Sequence, residues 1–415
     1  MGANFDITAA TPILKNRYTK EKIQTLAFKS SLFAIMPKDT DQGGQQYIGA
    51  IRSAIGSTAS HTDSVAFGTN VSASVYNQWV CPWAYGYGAA NVTGAAIDQS
   101  KGDANALVDA MVGEFDGAFI DLGQQLGADL FGNGGGAFGQ ISAGSNVATA
   151  TITLADTSKM FNFWQGQLLQ ASADDGTGGG GTRSAGATVT LSKVDIIAGT
   201  LTATGNWTAG IAAVVAGDYL FQQGNYNGAF KGLAGWLPYG ANPRVAANDS
   251  FNGVNRSVDP IRLAGVYFSG GGAQKTESMM KAAGLVQRMN GRPDHLVLNP
   301  MDYVDVELDM GARIQYVTVE AFENAQVSFD GIRLATAYGM ITLLMDIFCP
   351  LGRGYMLELD TWLLPSVGEV PRIAGPGVDG LEWLRNAASD SYQARFKYIA
   401  TSYCAAPGKN AVIAW

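Results

Sequence analysis

Side-chain chemistry near neutral pH draws mainly on histidine, cysteine and paired carboxylates. This chain is poor in the first two. It holds two histidines, His61 and His295, too far apart for a local metal motif of the H-E-x-x-H kind. His295 heads the apolar run Leu296-Val297-Leu298 and reads as a structural histidine. Three cysteines, Cys81, Cys349 and Cys404, are odd in number and widely spaced, and read as free thiols of a reducing cytosol. No C-x-x-C, G-x-x-x-x-G-K-[ST] or G-x-S-x-G occurs, so metal clusters, phosphate loops and nucleophile elbows have no motif.

G-x-G-x-x-G occurs at Gly134/Gly136/Gly139, Gly176/Gly178/Gly181 and Gly375/Gly377/Gly380. With 53 glycines in 415 residues, such matches arise by chance. The third precedes a segment, Leu381 to Ala388, that reads as helix, but too little chain follows for a dinucleotide-binding domain. Carboxylates recur at Asp103, Asp109, Glu114, Asp116, Asp121 and Asp129, on what reads as the solvated face of one helix. A pair of them acting as acid and base is the enzymatic alternative. No catalytic, cofactor-binding or metal-ligating residue is assigned, and the chain reads as a non-enzyme.

The elements that would position any site follow from composition and period. At about 150 residues per domain, 415 residues suggest two or three units. Hydrophobic residues make up 47%, enough for sizeable cores, whereas charged residues are only 15% against roughly 25% in an average domain. The charge sum, 27 − 35 = −8, argues against a protein that binds nucleic acid by neutralising phosphates. No apolar run reaches the ~18 residues of a membrane span, and the charged first thirty residues lack the apolar core of a signal peptide.

Residues 1–37 read as an N-terminal arm, basic at Lys15, Arg17, Lys20, Lys22 and Lys29. Lys20 to Lys29 suits one short amphipathic helix, with Ile23, Leu26 and Ala27 on one face. Residues 38–80 read as a long β-hairpin, with strands near Gln46 to Ile55 and Ser72 to Val80. The strongest signal is Leu107, Met111, Phe115, Phe119, Leu122, Leu126 and Leu130, one face of a helix over about 103–131. Asp103 caps it and Gly132 stops it. Residues 137–227 alternate short strands with Gly-rich turns and read as an inserted small β-barrel or sandwich. From 228 to 415 the pattern is mixed. A helix spans Thr276 to Asn290, a strand Leu296 to Leu298, and a helix starts at Pro300. Strands follow at Val327 to Ala335, with a tight turn at Asp330-Gly331, then Met340 to Cys349 and Gly354 to Leu359. The apolar end, Ala411 to Trp415, reads as docked.

This order of parts resembles the major capsid proteins of tailed bacteriophages. The resemblance rests on Tyr18-Thr19-Lys20-Glu21-Lys22-Ile23, Gly232-Leu233-Ala234-Gly235-Trp236-Leu237-Pro238 and His295-Leu296-Val297-Leu298-Asn299-Pro300. It rests also on Ser328-Phe329-Asp330-Gly331-Ile332 leading to Pro350-Leu351-Gly352-Arg353-Gly354-Tyr355-Met356-Leu357. None is a strict motif; their order across nearly the whole chain carries the likeness. It implies an α+β capsid fold: N-terminal arm, extended loop, spine helix, and peripheral and axial lobes, with the β-rich insertion outside the common core. Residues 81–136 and the strands near 327–359 would belong to the peripheral lobe, and about 255–325 to the axial lobe.

The implied function is an icosahedral shell of hexamers and pentamers around double-stranded DNA, assembled in the bacterial cytoplasm and located in the virion. Implied partners are a portal protein, a separate scaffolding protein, since the chain begins with arm-like sequence, and a decoration protein. Arm and loop would clasp neighbouring subunits through Phe5, Ile13, Tyr18, Tyr47, Arg52, Phe67 and Trp79. Some relatives cross-link a loop lysine; no lysine occurs from Asp39 to Ser100, so a non-covalent shell is expected. Three alternatives stand: the shell of an enzyme-enclosing nanocompartment, a glycan-binding protein using exposed Trp164 and Trp207, and the two-carboxylate hydrolase.

Overall fold

The computed structural model describes residues 30–56, 59–68, 73–95, 110–240, 245–310, 316–319, 329–336, 339–373, 383–385 and 389–415. A short helix α1 (Ser31–Ile35) precedes the strands β1 (Gln46–Ala54), β2 (Val75–Pro82) and β3 (Ala84–Thr93). The long helix α2 (Ala110–Phe131) follows. Next come β4 (Gly139–Gln140), β5 (Thr151–Thr153), β6 (Leu168–Ser172), β7 (Val189–Asp195), β8 (Thr200–Ala203) and β9 (Tyr219–Gln222). After these stand β10 (Val266–Ser269), α3 (Lys275–Arg288), β11 (His295–Leu298) and α4 (Pro300–Met310). The last are β12 (Tyr316–Val319), β13 (Phe329–Thr336), β14 (Gly339–Met345), β15 (Arg353–Leu357), β16 (Trp383–Arg385), β17 (Ser391–Ala400) and β18 (Ala411–Ala414).

The chain divides into two compact units. The first comprises Tyr87–Leu122 and Ile373–Lys397, with Met1–Ala27 outside the described residues. Here β17 pairs with β3 and β16. Period-two alternation buries Ala394 and Phe396 of β17 and Ala90 and Val92 of β3. Phe396 meets Phe119 of α2 edge-on at 6.0 Å. Gly88 of β3 faces the same helix, where a Cβ would sit in ordinary van der Waals contact with Ala118, Leu122 and Phe396. The segment expected as helix at 381–388 instead contributes β16, whose three residues pair with Tyr392 to Ala394. Pairing with a formed strand overrides local helical preference there. The expected helix start near Asp103 lies outside the described residues.

The second unit comprises Phe28–Gly86, Gly123–Arg372 and Tyr398–Trp415. Among its described residues a mixed sheet runs in the order β10-β18-β15-β11-β14-β13-β12. β11 lies parallel to β14 and antiparallel to β15, buried on both sides, which explains its unbroken apolar sequence. Helix α3 packs Met279, Ala282 and Ala283 into the sheet's core, and α4 adds Tyr303 and Val306. Asn299 caps α4, its Oδ1 accepting from Met301 N and its Nδ2 donating to Cys349 O. β18 fills the sheet beside β10 and β15, so the apolar chain end is docked as its sequence suggests.

One expectation is corrected in this sheet. Asp330-Gly331 is no turn: β13 runs straight through it, held by pairing with Val317 and Thr318. The strands β13, β14 and β15 share one sheet with β10, β11 and β18, and Phe131 at the end of the long helix packs on Tyr355 of β15 at 6.0 Å.

Residues 138–220 carry a hydrophobic core of their own, centred on Ile141, Leu169, Leu201, Trp207, Ile211 and Leu220. Its strands run in the open order β4-β9-β6-β7-β8-β5. The two edges meet at one bridge, Ile141 to Leu154, and no closed barrel forms. β4 and β5 are too short for a closing ladder. Entry and exit are adjacent, Phe138 N donating to Leu220 O at 2.8 Å.

Candidate assembly surfaces

Of the seven residues expected at subunit contacts, Phe5, Ile13 and Tyr18 lie outside the described residues. The other four lie on the β1–β2 hairpin and its tip, in very different settings. Arg52 is exposed on β1, in register with Tyr76 of β2. Phe67, on the short tip helix Asp63–Gly68, is 86% exposed. Tyr47 is half-buried, its ring edge-on to Tyr403 at 5.1 Å. Trp79 lies inside its own chain. It is 0% exposed and packs edge-on against Trp236 at 5.0 Å and Phe251 at 6.2 Å.

The reason is that the hairpin has two halves. Its base is locked to the body by aromatic rings: Trp79, Trp236, Phe251, Trp362 and Tyr403 form successive edge-to-face contacts. Gly49 permits this, because a Cβ there would overlap the Tyr403 ring. Val80 N also donates to Asn252 O at 2.8 Å. Beyond the base, β1 and β2 pair only with each other among the described residues. The outer half presents Ile55, Phe67, Val75 and Tyr76 to solvent. Sequence alternation locates the strands but cannot say which half is anchored. That depends on Gly49, Trp236 and Tyr403, distant in sequence.

The arm is rooted at Asp346, in the turn after β14. Its Oδ2 accepts from Ser30 Oγ at 2.6 Å and Leu32 N at 3.0 Å, and its Oδ1 from Phe348 N at 3.0 Å. Ser31 Oγ donates to Met345 O at 2.6 Å. Burial pushes this carboxyl up to about 6, against the pull of those donors. In the sequence Asp346 lies within the strand expected at Met340 to Cys349 and carries no signal of its own.

The helix carboxylates do not form one solvated face. Glu114, Asp116 and Asp121 are exposed, but Asp129 is buried and accepts from Tyr398 Oη at 2.8 Å. Burial pushes Asp129 up to about 7, partly offset by that hydrogen bond. The exposed aromatics expected of a glycan binder are absent from their positions. Trp207 is wholly buried with Nε1 donating to Ala150 O, and Trp164 is half-buried with Nε1 donating to Gln124 Oε1. All three cysteines are buried free thiols. Among the described residues no cluster of three His, Cys, Asp or Glu side chains could hold a metal ion, and no helix is long and apolar enough to cross a membrane.

No family model matches the sequence, and no curated protein matches it. Solved structures do match over nearly the full length. The chain is similar to the capsid asymmetric unit of cyanophage A-1(L), with 11% identity, 97% of each chain covered and a TM-score of 0.55. It is also similar to the capsid of an empty GTA particle, with 7% identity, 100% of this chain and 99% of the other covered, and a TM-score of 0.52. At such identities the likeness is one of fold. A mixed sheet flanked by α3 and α4, a long helix, and a projecting hairpin agree with it: the chain has the fold of the tailed-bacteriophage major capsid proteins.

Proposed function

We propose that this chain is the major capsid protein of a tailed bacteriophage, assembling as hexamers and pentamers into an icosahedral shell around double-stranded DNA. The observation that carries the reading is the hairpin. Its base is anchored by an aromatic cluster, while its outer half displays Ile55, Phe67, Val75 and Tyr76 to solvent. A two-stranded ribbon is marginal alone, and apolar side chains held rigidly away from their own core suit burial on a neighbour. Arm (1–37) and loop (38–80) act as the clasps, and Phe67 and Arg52 are contact residues of the loop. The 137–227 insertion is a structural addition to the shell subunit.

A net charge of −8 suits an enclosure that holds DNA without gripping its phosphates. Portal, scaffolding and decoration proteins are the partners such a shell uses, and virion the location. The role is structural, without catalysis.

The test is negative-stain microscopy and light scattering of the purified protein, expressed alone and with its neighbouring gene products. Closed shells or hexamer-sized rings support the reading, and nuclease-resistant DNA inside shells from infected cells distinguishes a capsid from an enzyme compartment. A monomer of about 44 kDa at every concentration and with every neighbour overturns it.

A further inference from the structure

The seven-stranded sheet is covered unevenly. On one side α3 and α4 pack over Ile332 and Leu334 of β13 and Ile341 and Leu343 of β14. Tyr303 of α4 fixes that side, its Oη accepting from Ile332 N at 3.3 Å. Strand alternation therefore turns Arg333, Ala335, Met340 and Thr342 to the other side. There Arg333, Ala335 and Met340 are exposed and Thr342 is half-buried. Leu344, further along β14 on the same side, is buried where α1 meets the strand. A sheet with parallel pairing, such as β11 with β14, is ordinarily covered on both faces. Among the described residues nothing covers this stretch of β13 and β14.

The helix layer has a bare outer face of its own. Met301, Val304 and Leu308 of α4, spaced by three and four residues, are exposed, whereas Tyr303 and Val306 point inward. The helix carries Asp302, Asp305, Glu307 and Asp309 and no base. Lys275 answers part of that charge, its Nζ donating to Asp302 and Asp305 at 2.6 Å each. One base against four acids leaves −3. On the bare side of β13 and β14 the one charge among the described residues is Arg333.

We propose that the α4 face of one copy of this chain seats on the bare β13–β14 face of the next. The proposal rests on the shell reading and names surfaces through which its subunits join. The faces are complementary: an acidic helix with an apolar stripe, and a sheet face of small and apolar side chains with one arginine. They lie on opposite sides of one helix-and-sheet layer, so the contact is head-to-tail. Each copy keeps one free face of each kind, and repeated rotation closes a ring. Each added copy supplies the layer that its neighbour's sheet lacks.

The test is disulfide trapping in the full chain with two pairs of exposed positions, Leu308→Cys with Met340→Cys and Val304→Cys with Ala335→Cys. The native thiols are buried, so cross-links report the introduced pair. On oxidation the double variants should give a ladder ending at pentamers and hexamers, and each single variant no cross-link. A dimer from a single variant overturns the proposal, because it shows a symmetric contact. Charge gives a second readout. Met340→Asp faces the acids of α4, so it should need about tenfold more protein to assemble than Met340→Lys. No ladder from either pair, or equal assembly of the two Met340 variants, in a chain that still forms shells overturns this proposal and leaves the shell reading intact. A chain that stays monomeric under every condition overturns both.

Discussion

Tyr398 of β17 donates a 2.8 Å hydrogen bond to the buried carboxylate of Asp129, near the end of the long helix. The carboxyl stands at about 7, raised by burial against the lowering pull of that bond. In the unfolded chain the same group titrates near 3.8. The folded state therefore binds the proton more tightly. The resulting stability is full below about 3.8 and is lost as the pH rises through about 7. Asp346, raised to about 6, acts with the same sign. Urea unfolding of the unassembled chain should show lower stability at pH 8 than at pH 5. Asp129→Asn should reduce that difference by on the order of 2 kcal/mol and leave the part due to Asp346. An unchanged pH dependence in the variant would remove Asp129 as its source.

Tyr398→Phe removes the one side-chain donor described at Asp129 without changing ring volume. The carboxyl stays buried with one partner fewer. A loss of about 1–3 kcal/mol is expected, larger at pH 8 than at pH 5, because the charged form suffers more. Equal losses at the two pH values would mean that the ring's packing, not its hydroxyl, supports the helix.

The base of the hairpin depends on Gly49, over which the Tyr403 ring lies too closely for any Cβ. Tyr403 cannot simply swing away, since it also packs on Tyr47 and Trp236. Gly49→Val should cost about 1–3 kcal/mol and loosen the hairpin at its root. Faster hydrogen exchange in β1 and β2, with the seven-stranded sheet unchanged, is the expected signature.

These residues mark where the sequence was readable and where it was not. Periodicity located the long helix, the hairpin strands and β11, because each of those patterns is local. The helix start at Pro300 was readable for the same reason. Asp129 read as solvated because its acidic neighbours at Glu114, Asp116 and Asp121 are exposed, and only Tyr398, far along the chain, marks its burial. Trp79 read as a contact residue because its strand alternates like one with a free face. That face is covered by Trp236 and Phe251, which no local pattern connects to it. Asp346 was passed over for the same reason: its partners, Ser30 and Leu32, lie at the other end of the chain.

Trp79 and Phe67 therefore make opposite predictions from one hairpin. Trp79→Ala should destabilise the unassembled chain by about 3–5 kcal/mol, because it empties a packed aromatic site. Phe67→Ser should leave that stability within about 0.5 kcal/mol, because the ring touches little of its own chain. Shell yield should fall with Phe67→Ser, if the outer half of the hairpin is a clasp. Normal shells from this variant would place the clasp elsewhere.

The insertion has a hydrophobic core of its own. Its core residues, from Phe138 to Leu220, share no member with the core that joins α3, α4 and the seven-stranded sheet. Its two ends are hydrogen-bonded neighbours, so a short linker can replace it without stretching the host. Some side chains do tie it down: Trp164 Nε1 donates to Gln124 Oε1 at 2.8 Å, and Asn133 Nδ2 to Asp175 Oδ2 at 2.6 Å. Excision leaves Gln124 and Asn133 facing water, which satisfies them at little cost. A chain in which two glycines replace residues 138–221 should unfold cooperatively, within about 2 kcal/mol of the parent. Circular dichroism and urea titration check this. A molten or aggregated product would mean that the insertion's contacts, not only its own core, are needed by the host fold.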